Sequence, residues 1–185
     1  MGRSRWLSPA SLIRMGVDCM SDFLTALDSV NTQVSIQALN PGGLFQVAAW
    51  PDKVASVADI VDAAGALSIM EIAPGRYLLE TDKERQTELH EKLQGQLPQT
   101  LGTVTDLSCA RTCFTVSGHG AAAVMAKGLP LDLHLEAFPV GKVLQSAIHE
   151  IAVVVRRTQA DQFDVFVYKS FADSLLHWLQ QAAGQ

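Results

Sequence analysis

The first candidate for chemistry in this chain is a glycine turn. Gly118-His119-Gly120-Ala121-Ala122-Ala123 fits G-x-G-x-x-A between an apolar run and a helical stretch. In a dinucleotide fold such glycines bring backbone N–H groups against a pyrophosphate at a helix N-terminus. That use requires a following parallel strand with an acid at its end. Here Gly128 and Pro130 stop the helix early, and Leu131 to Leu135 alternates with Asp132 and His134. The context favours a tight strand-to-helix turn packed on small residues. Cys109, Cys113 and His119 have loose metal-ligand spacing. Zinc sites take four ligands, usually with a short knuckle between cysteines, and no fourth ligand is evident. Reduced thiols buried beside a strand fit better. Asp132 and His134, two apart on an extended segment, would share one face. They could meet a ligand or a neighbouring chain, or stand as a plain surface pair. His149 lies between Ile148 and Ile151 beside Glu150, and His177 falls on the polar side of the last helix. No G-x-S-x-G elbow accompanies them, so a catalytic triad has no support.

The elements that must position these residues read as follows. The chain has 185 residues, 48% of them apolar and only 18% charged, with a net charge of -5. That composition excludes intrinsic disorder and hints at surface that a partner covers. No basic block exceeds Arg156-Arg157, which argues against non-specific nucleic-acid binding. No apolar run approaches a bilayer span. Neither a signal peptide nor a cysteine framework is read, so a cytoplasmic protein with reduced thiols is expected.

Residues 1–31 read as irregular or weakly helical, with Met20 as an alternative start. A hairpin is expected from Val34–Ala38 and Leu44–Trp50 around Asn40-Pro41-Gly42-Gly43. Val54, Val57, Ala58 and Val61 form a helical stripe ended by Gly65. Leu67–Ile72 and Tyr77–Glu80 are strands around Pro74-Gly75, followed by a polar helix to about Leu93. Residues 32–95 thus make a first α+β half. Residues 96–102 read as a linker, and 103–185 as a second half. That half holds strands at Thr103–Leu107 and Cys113–Val116, a short helix Ala121–Lys127, one long strand or two over Leu144–Arg157, and a strand Phe163–Tyr168. Ile151–Val155 reads as a central strand buried on both faces. Ser170 caps a last helix whose inward stripe is Phe171, Leu175, Trp178, Leu179 and Ala182. The expected fold is α+β, two ferredoxin-like halves with mixed or antiparallel sheets and helices on one face.

The most distinctive string is Lys127-Gly128-Leu129-Pro130-Leu131-Asp132-Leu133-His134, continued as Ala137-Phe138-Pro139-Val140-Gly141-Lys142. It is flanked by Phe114–Ala121, by Phe163–Val167 and by Lys169-Ser170-Phe171-Ala172-Asp173-Ser174-Leu175. This resembles the gamma subunit family of heterotetrameric sarcosine oxidase, closely in the second half and by layout in the first. Leu129 stands where many members are expected to carry Cys. The resemblance implies an aminomethyltransferase (T-protein)-like fold and a non-catalytic subunit with alpha, beta and delta partners. The complex demethylates sarcosine to glycine with oxygen and tetrahydrofolate as acceptors. FAD, FMN and NAD would sit with the large subunits and zinc with delta, none on this chain. Lys127, Gly128, Leu131, Asp132, Leu133, His134, Phe138, Gly141, Ser170 and Phe171 are the expected signature or interface residues. Leu129 to Phe138 is expected to be a docking loop, with no membrane or nucleic-acid partner. The alternatives are a standalone folate-binding one-carbon protein, the small subunit of a related N-methyl amino acid dehydrogenase, and a homodimeric ferredoxin-like sensor.

Overall fold

The computed structural model describes residues 34–39 and 42–184. The readings of residues 1–31, including Cys19 and Met20, and of Asn40-Pro41 lie outside that range. Strands β1 (Ser35–Leu39) and β2 (Gly43–Ala49) lead to helix α1 (Val54–Ala63). Then come β3 (Ser68–Ala73), β4 (Arg76–Thr81) and α2 (Gln86–Gln96). The remainder is β5 (Gly102–Asp106), β6 (Arg111–Ser117), α3 (Ala121–Ala126), β7 (Val143–Ile148), β8 (Ile151–Gln159), β9 (Gln162–Tyr168) and α4 (Ala172–Ala183).

Two sheets form, ordered β1-β6-β9-β8-β7 and β3-β4-β2-β5, and the strand pairs in both are antiparallel. Period-2 alternation sends each interior strand's side chains to two cores. On one face of the smaller sheet, Phe45, Val47, Tyr77 and Leu79 pack against Val57 and Val61 of α1 and Leu89 and Leu93 of α2. On one face of the larger sheet, Phe114, Val116, Val155 and Phe163 pack against Met125 of α3 and Leu175 and Leu179 of α4. Between the sheets, Leu44, Met70 and Leu78 meet Cys113, Val154 and Phe166. The layers therefore run helix, sheet, sheet, helix.

Three expectations need correction. β1 and β2 do not pair with each other. β1 lies beside β6, with Ile36 opposite Val116, whereas β2 lies between β4 and β5. Leu44 and Phe45 are both fully buried on opposite faces, so β2 needs a strand on each side and a layer on each face. A hairpin with β1 supplies neither. For the same reason residues 96–102 do not separate the two sheets: β5 crosses back to the first and β1 belongs to the second. Finally, Ser170 and Phe171 lie in a 3-10 turn (Lys169–Phe171) that leads into α4 without a side-chain cap hydrogen bond. Its three-residue period breaks the stripe, and Phe171 is left 49% exposed.

The long apolar run resolves into β7 and β8 around a turn at His149, whose φ is 52°. β8 is interior, with Val153 and Val155 on the helix side and Val154 facing the other sheet, as its unbroken apolarity requires. Among the described residues no helix is long and apolar enough to cross a membrane.

Candidate interface site

The signature string leaves α3 and returns to β7 as a loop fastened from inside. Arg157, on the helix-facing side of β8, is 3% exposed. Its Nη1 donates to the carbonyls of Leu133 and Phe138, both at 2.8 Å, and its Nε to the carbonyl of Ala160 at 3.0 Å. The guanidinium lies 4.9 Å from the centroid of Phe163, whose ring stacks on Phe138. The end of the loop is sewn to the same strand: Gly141 N–H donates to the Arg157 carbonyl, and Arg157 N–H to the Lys142 carbonyl. Gly141 has φ +87°, a conformation that favours glycine.

The other predicted residues of the string serve the same anchoring. Lys127 is exposed, and its Nζ donates to the Ala182 carbonyl at the end of α4. A Cβ on Gly128 would stand 2.5 Å from the Trp178 ring, so the chain passes under the indole only as glycine. Leu129, Leu133 and Phe138 are buried and Leu131 is partly buried, all in the chain's own core. Leu129 therefore fills a packing position. Asp132 Oδ1 accepts the His134 backbone N–H at 2.8 Å. This is a local Asx turn, which replaces the expected extended segment with a shared face. His134 and Glu136 make an exposed pair at 3.9 Å. The expected docking loop is thus turned inward at its large apolar residues, while Leu135 and Val140 are 46% and 53% exposed. Ser170 and Phe171 follow the opposite end of β9, so the structure splits the predicted set into two groups.

A second polar cluster lies between the sheets. Arg156 Nη1 donates to Glu80 Oε2 at 2.7 Å and Ser68 Oγ at 2.6 Å, and Nη2 to Asp164 Oδ2 at 2.7 Å. Thr115 Oγ1 donates to the other Asp164 oxygen at 2.8 Å. Burial pulls the Arg156 pKa down, but the bonds to Asp164 and Glu80 outweigh it and hold the value above normal. Burial, then the Asp164 and Glu80 charges, push the neighbouring Cys113 thiol well up. At the rim, Asp106 accepts from Ser108 Oγ at 2.6 Å, and Ser108 Oγ accepts the Leu44 N–H at 2.9 Å. Burial would raise the Asp106 pKa, but the Ser108 and Gln86 bonds hold it below the usual range. The reading of candidate residues missed both arginines. The available signal was two adjacent arginines inside an apolar strand, which alternation must send to opposite interiors.

The other chemical candidates dissolve. The glycine turn enters a six-residue helix, and Gly118 N–H donates to the Asp161 carbonyl of the β8–β9 turn. β6 is antiparallel to both neighbours, so no βαβ crossover presents that turn to a dinucleotide. Cys109 is exposed and Cys113 buried, and among the described residues no three His, Cys, Asp or Glu side chains gather as metal ligands. His149 packs edge-on against Trp178, with centroids 5.6 Å apart. A shallow groove of about 500 Å³ is lined by Trp50, Gln94, Leu97, Gln99 and Thr103, which are neutral side chains without an acid–base pair.

The model of the sarcosine oxidase, gamma subunit family matches residues 48–185. Sarcosine oxidase subunit gamma from Corynebacterium sp. (strain U-96) is 30% identical over 131 residues, which covers 71% of this chain but 63% of that protein. The same subunit from Corynebacterium sp. (strain P-1) is 29% identical, over 83% of this chain and 76% of that one. Among solved structures, a chain of heterotetrameric sarcosine oxidase from Corynebacterium sp. U-96, in complex with pyrrole 2-carboxylate, superposes with a TM-score of 0.75 at 24% identity. It covers 89% of this chain and 91% of that chain. The glycine cleavage system aminomethyltransferase T of Bartonella henselae superposes with a TM-score of 0.57 at 17% identity, over 85% of this chain and 48% of that one. The α+β fold and its T-protein-like layout agree with expectation.

Proposed function

We infer the role of this chain from its family, for it belongs to the sarcosine oxidase gamma subunit family. It acts as the gamma subunit of a heterotetrameric complex that oxidises sarcosine to glycine, and it does so without an active site of its own. The observation that carries this reading is the family match across residues 48–185, which takes in β3 to β9 and all four helices. The use of the interior polar groups supports the non-catalytic part. Arg157 holds a loop, and Arg156, Glu80 and Asp164 join two sheets. These groups are spent on the fold.

In this reading alpha, beta and delta subunits are the partners. FAD, FMN and NAD sit on the large subunits, zinc on delta, and tetrahydrofolate accepts the methyl carbon. The glycine turn of this chain does not fit a dinucleotide, because its helix is short and its sheet antiparallel. Co-expression of this chain with alpha, beta and delta chains tests the role. A flavoprotein complex that retains this chain and turns over sarcosine is expected. Full sarcosine-oxidising activity from a complex lacking this chain would overturn an obligatory role. Turnover of N-methylglutamate in place of sarcosine would move the assignment to the related dehydrogenase.

The T-protein likeness favours one second reading, folate binding by the chain alone. It covers about half of that relative, so only part of such a site would be present. Titration of the isolated chain with tetrahydrofolate separates the two, and binding there would favour the second.

A further inference from the structure

Among the described residues three arginines reach into the interior, and Arg111 alone of them has neither a carboxylate nor a carbonyl acceptor. Arg156 has two carboxylates and Arg157 has four carbonyls. Arg111, at the start of β6, is 5% exposed. Its guanidinium carbon lies 4.3 Å from the centroid of the Tyr168 ring. Its Nε is shielded from solvent with no acceptor, and among the described residues no carboxylate lies within ion-pair reach of it. A shielded guanidinium N–H without an acceptor is costly, and the aromatic face beside it answers only part of that cost.

The surroundings show what would complete it. Register places Tyr168 directly opposite Arg111, and Leu39 opposite Cys113, two residues along the same face. Further in, Cys113 and Phe166 on that face are covered by the smaller sheet. At this end Leu39, Tyr168 and Phe171 are left 44%, 39% and 49% exposed. Exposed apolar and aromatic side chains at the strand end that carries a largely buried arginine match the composition of an interface centre. We propose that Arg111, Tyr168, Phe171 and Leu39 form a contact surface for another subunit of the complex, which inserts an aspartate or glutamate side chain to pair with Arg111. This rests on the subunit role proposed above and names the chemistry of one partner contact.

The test uses the full chain and the other subunits. Wild type, Arg111→Met, Arg111→Lys and Phe171→Ser are each titrated into the remaining complex, and the isolated chains are melted. Arg111→Met is expected to weaken assembly at least tenfold, a hot-spot-sized loss, while its own melting temperature does not fall. Arg111→Lys recovers little, because an ammonium lacks the two-pronged donor. Phe171→Ser, at an exposed position, weakens assembly tenfold with unchanged melting, and it decides the matter if Arg111→Met does not fold. Undiminished assembly of both Arg111→Met and Phe171→Ser overturns this surface and leaves the subunit role intact. A clear drop in the melting temperature of Arg111→Met assigns the cation to the fold and overturns the proposal. Failure of the wild-type chain to join the complex overturns the subunit role and this contact together.

Discussion

Arg157→Met removes the fastening of the signature loop while keeping most of the side chain's length. The wild-type guanidinium makes two 2.8 Å bonds to the buried carbonyls of Leu133 and Phe138. Leaving a buried carbonyl unpaired costs about 1–3 kcal/mol, so two cost about 2–6 kcal/mol. Removing the desolvated cation returns part of this, and methionine keeps apolar contact with Phe163. The expected net loss is about 3 kcal/mol, a large share of the roughly 5–15 kcal/mol that holds a typical domain. For a chain of this length that lowers Tm by about 6–12 °C. Urea unfolding measures the free energy through the midpoint at constant m-value. Hydrogen exchange over residues 129–142 reports whether the loss falls on the loop. A midpoint equivalent to less than about 0.5 kcal/mol of destabilisation, with unchanged loop protection, would refute the claim that Arg157 anchors the loop. Leu133→Asp and Phe138→Glu, at positions 7% and 2% exposed, follow from the same geometry. Both should prevent folding rather than merely impair assembly.

Gly128→Ala should cost about 1–3 kcal/mol by overpacking against Trp178, visible in urea titration and as a shifted indole emission. Asp164→Ala strips a buried partner from Arg156 and Thr115 and should cost about 3 kcal/mol; a change under 1 kcal/mol would count against the inter-sheet cluster as a strut. Asp106 is held below its usual pKa in the folded state. Its contribution is therefore present above the unfolded value and lost as pH falls through the folded one. In Asp106→Asn the stability difference from wild type should shrink between pH 5 and pH 2. In the native protein Cys109 should react with a maleimide at pH 8, whereas Cys113 reacts only after unfolding, as peptide mass spectrometry can follow.

Local structure was legible in the residues because each element carries its own period. The Val57 and Val61 stripe predicts α1, and the alternation of Val34, Ile36 and Ala38 predicts β1. Partner choice was not legible. β1 and β2 are near in sequence and both alternate, so a hairpin is the economical guess. Only the double burial of Leu44 and Phe45 decides against it, and that is a property of three packed layers. The signature string was legible as a string. That its leucines and phenylalanine turn inward was not, because the carbonyls they present are met by an arginine on a strand outside the string. Arg111 was invisible for the opposite reason: what sets it apart is an Nε without an acceptor among the described residues, which no spacing encodes.

The exchange of strands has a consequence for how the molecule comes to exist. When β1 leaves the ribosome its neighbour β6 is not yet made, and β2 cannot be flanked until β5 follows. Neither half of the chain contains a finished sheet, so neither can settle alone, and loop closure over long separations precedes any reward. Cutting the chain near residues 97–101 should yield two insoluble fragments rather than two domains. The protein folds as one piece or not at all.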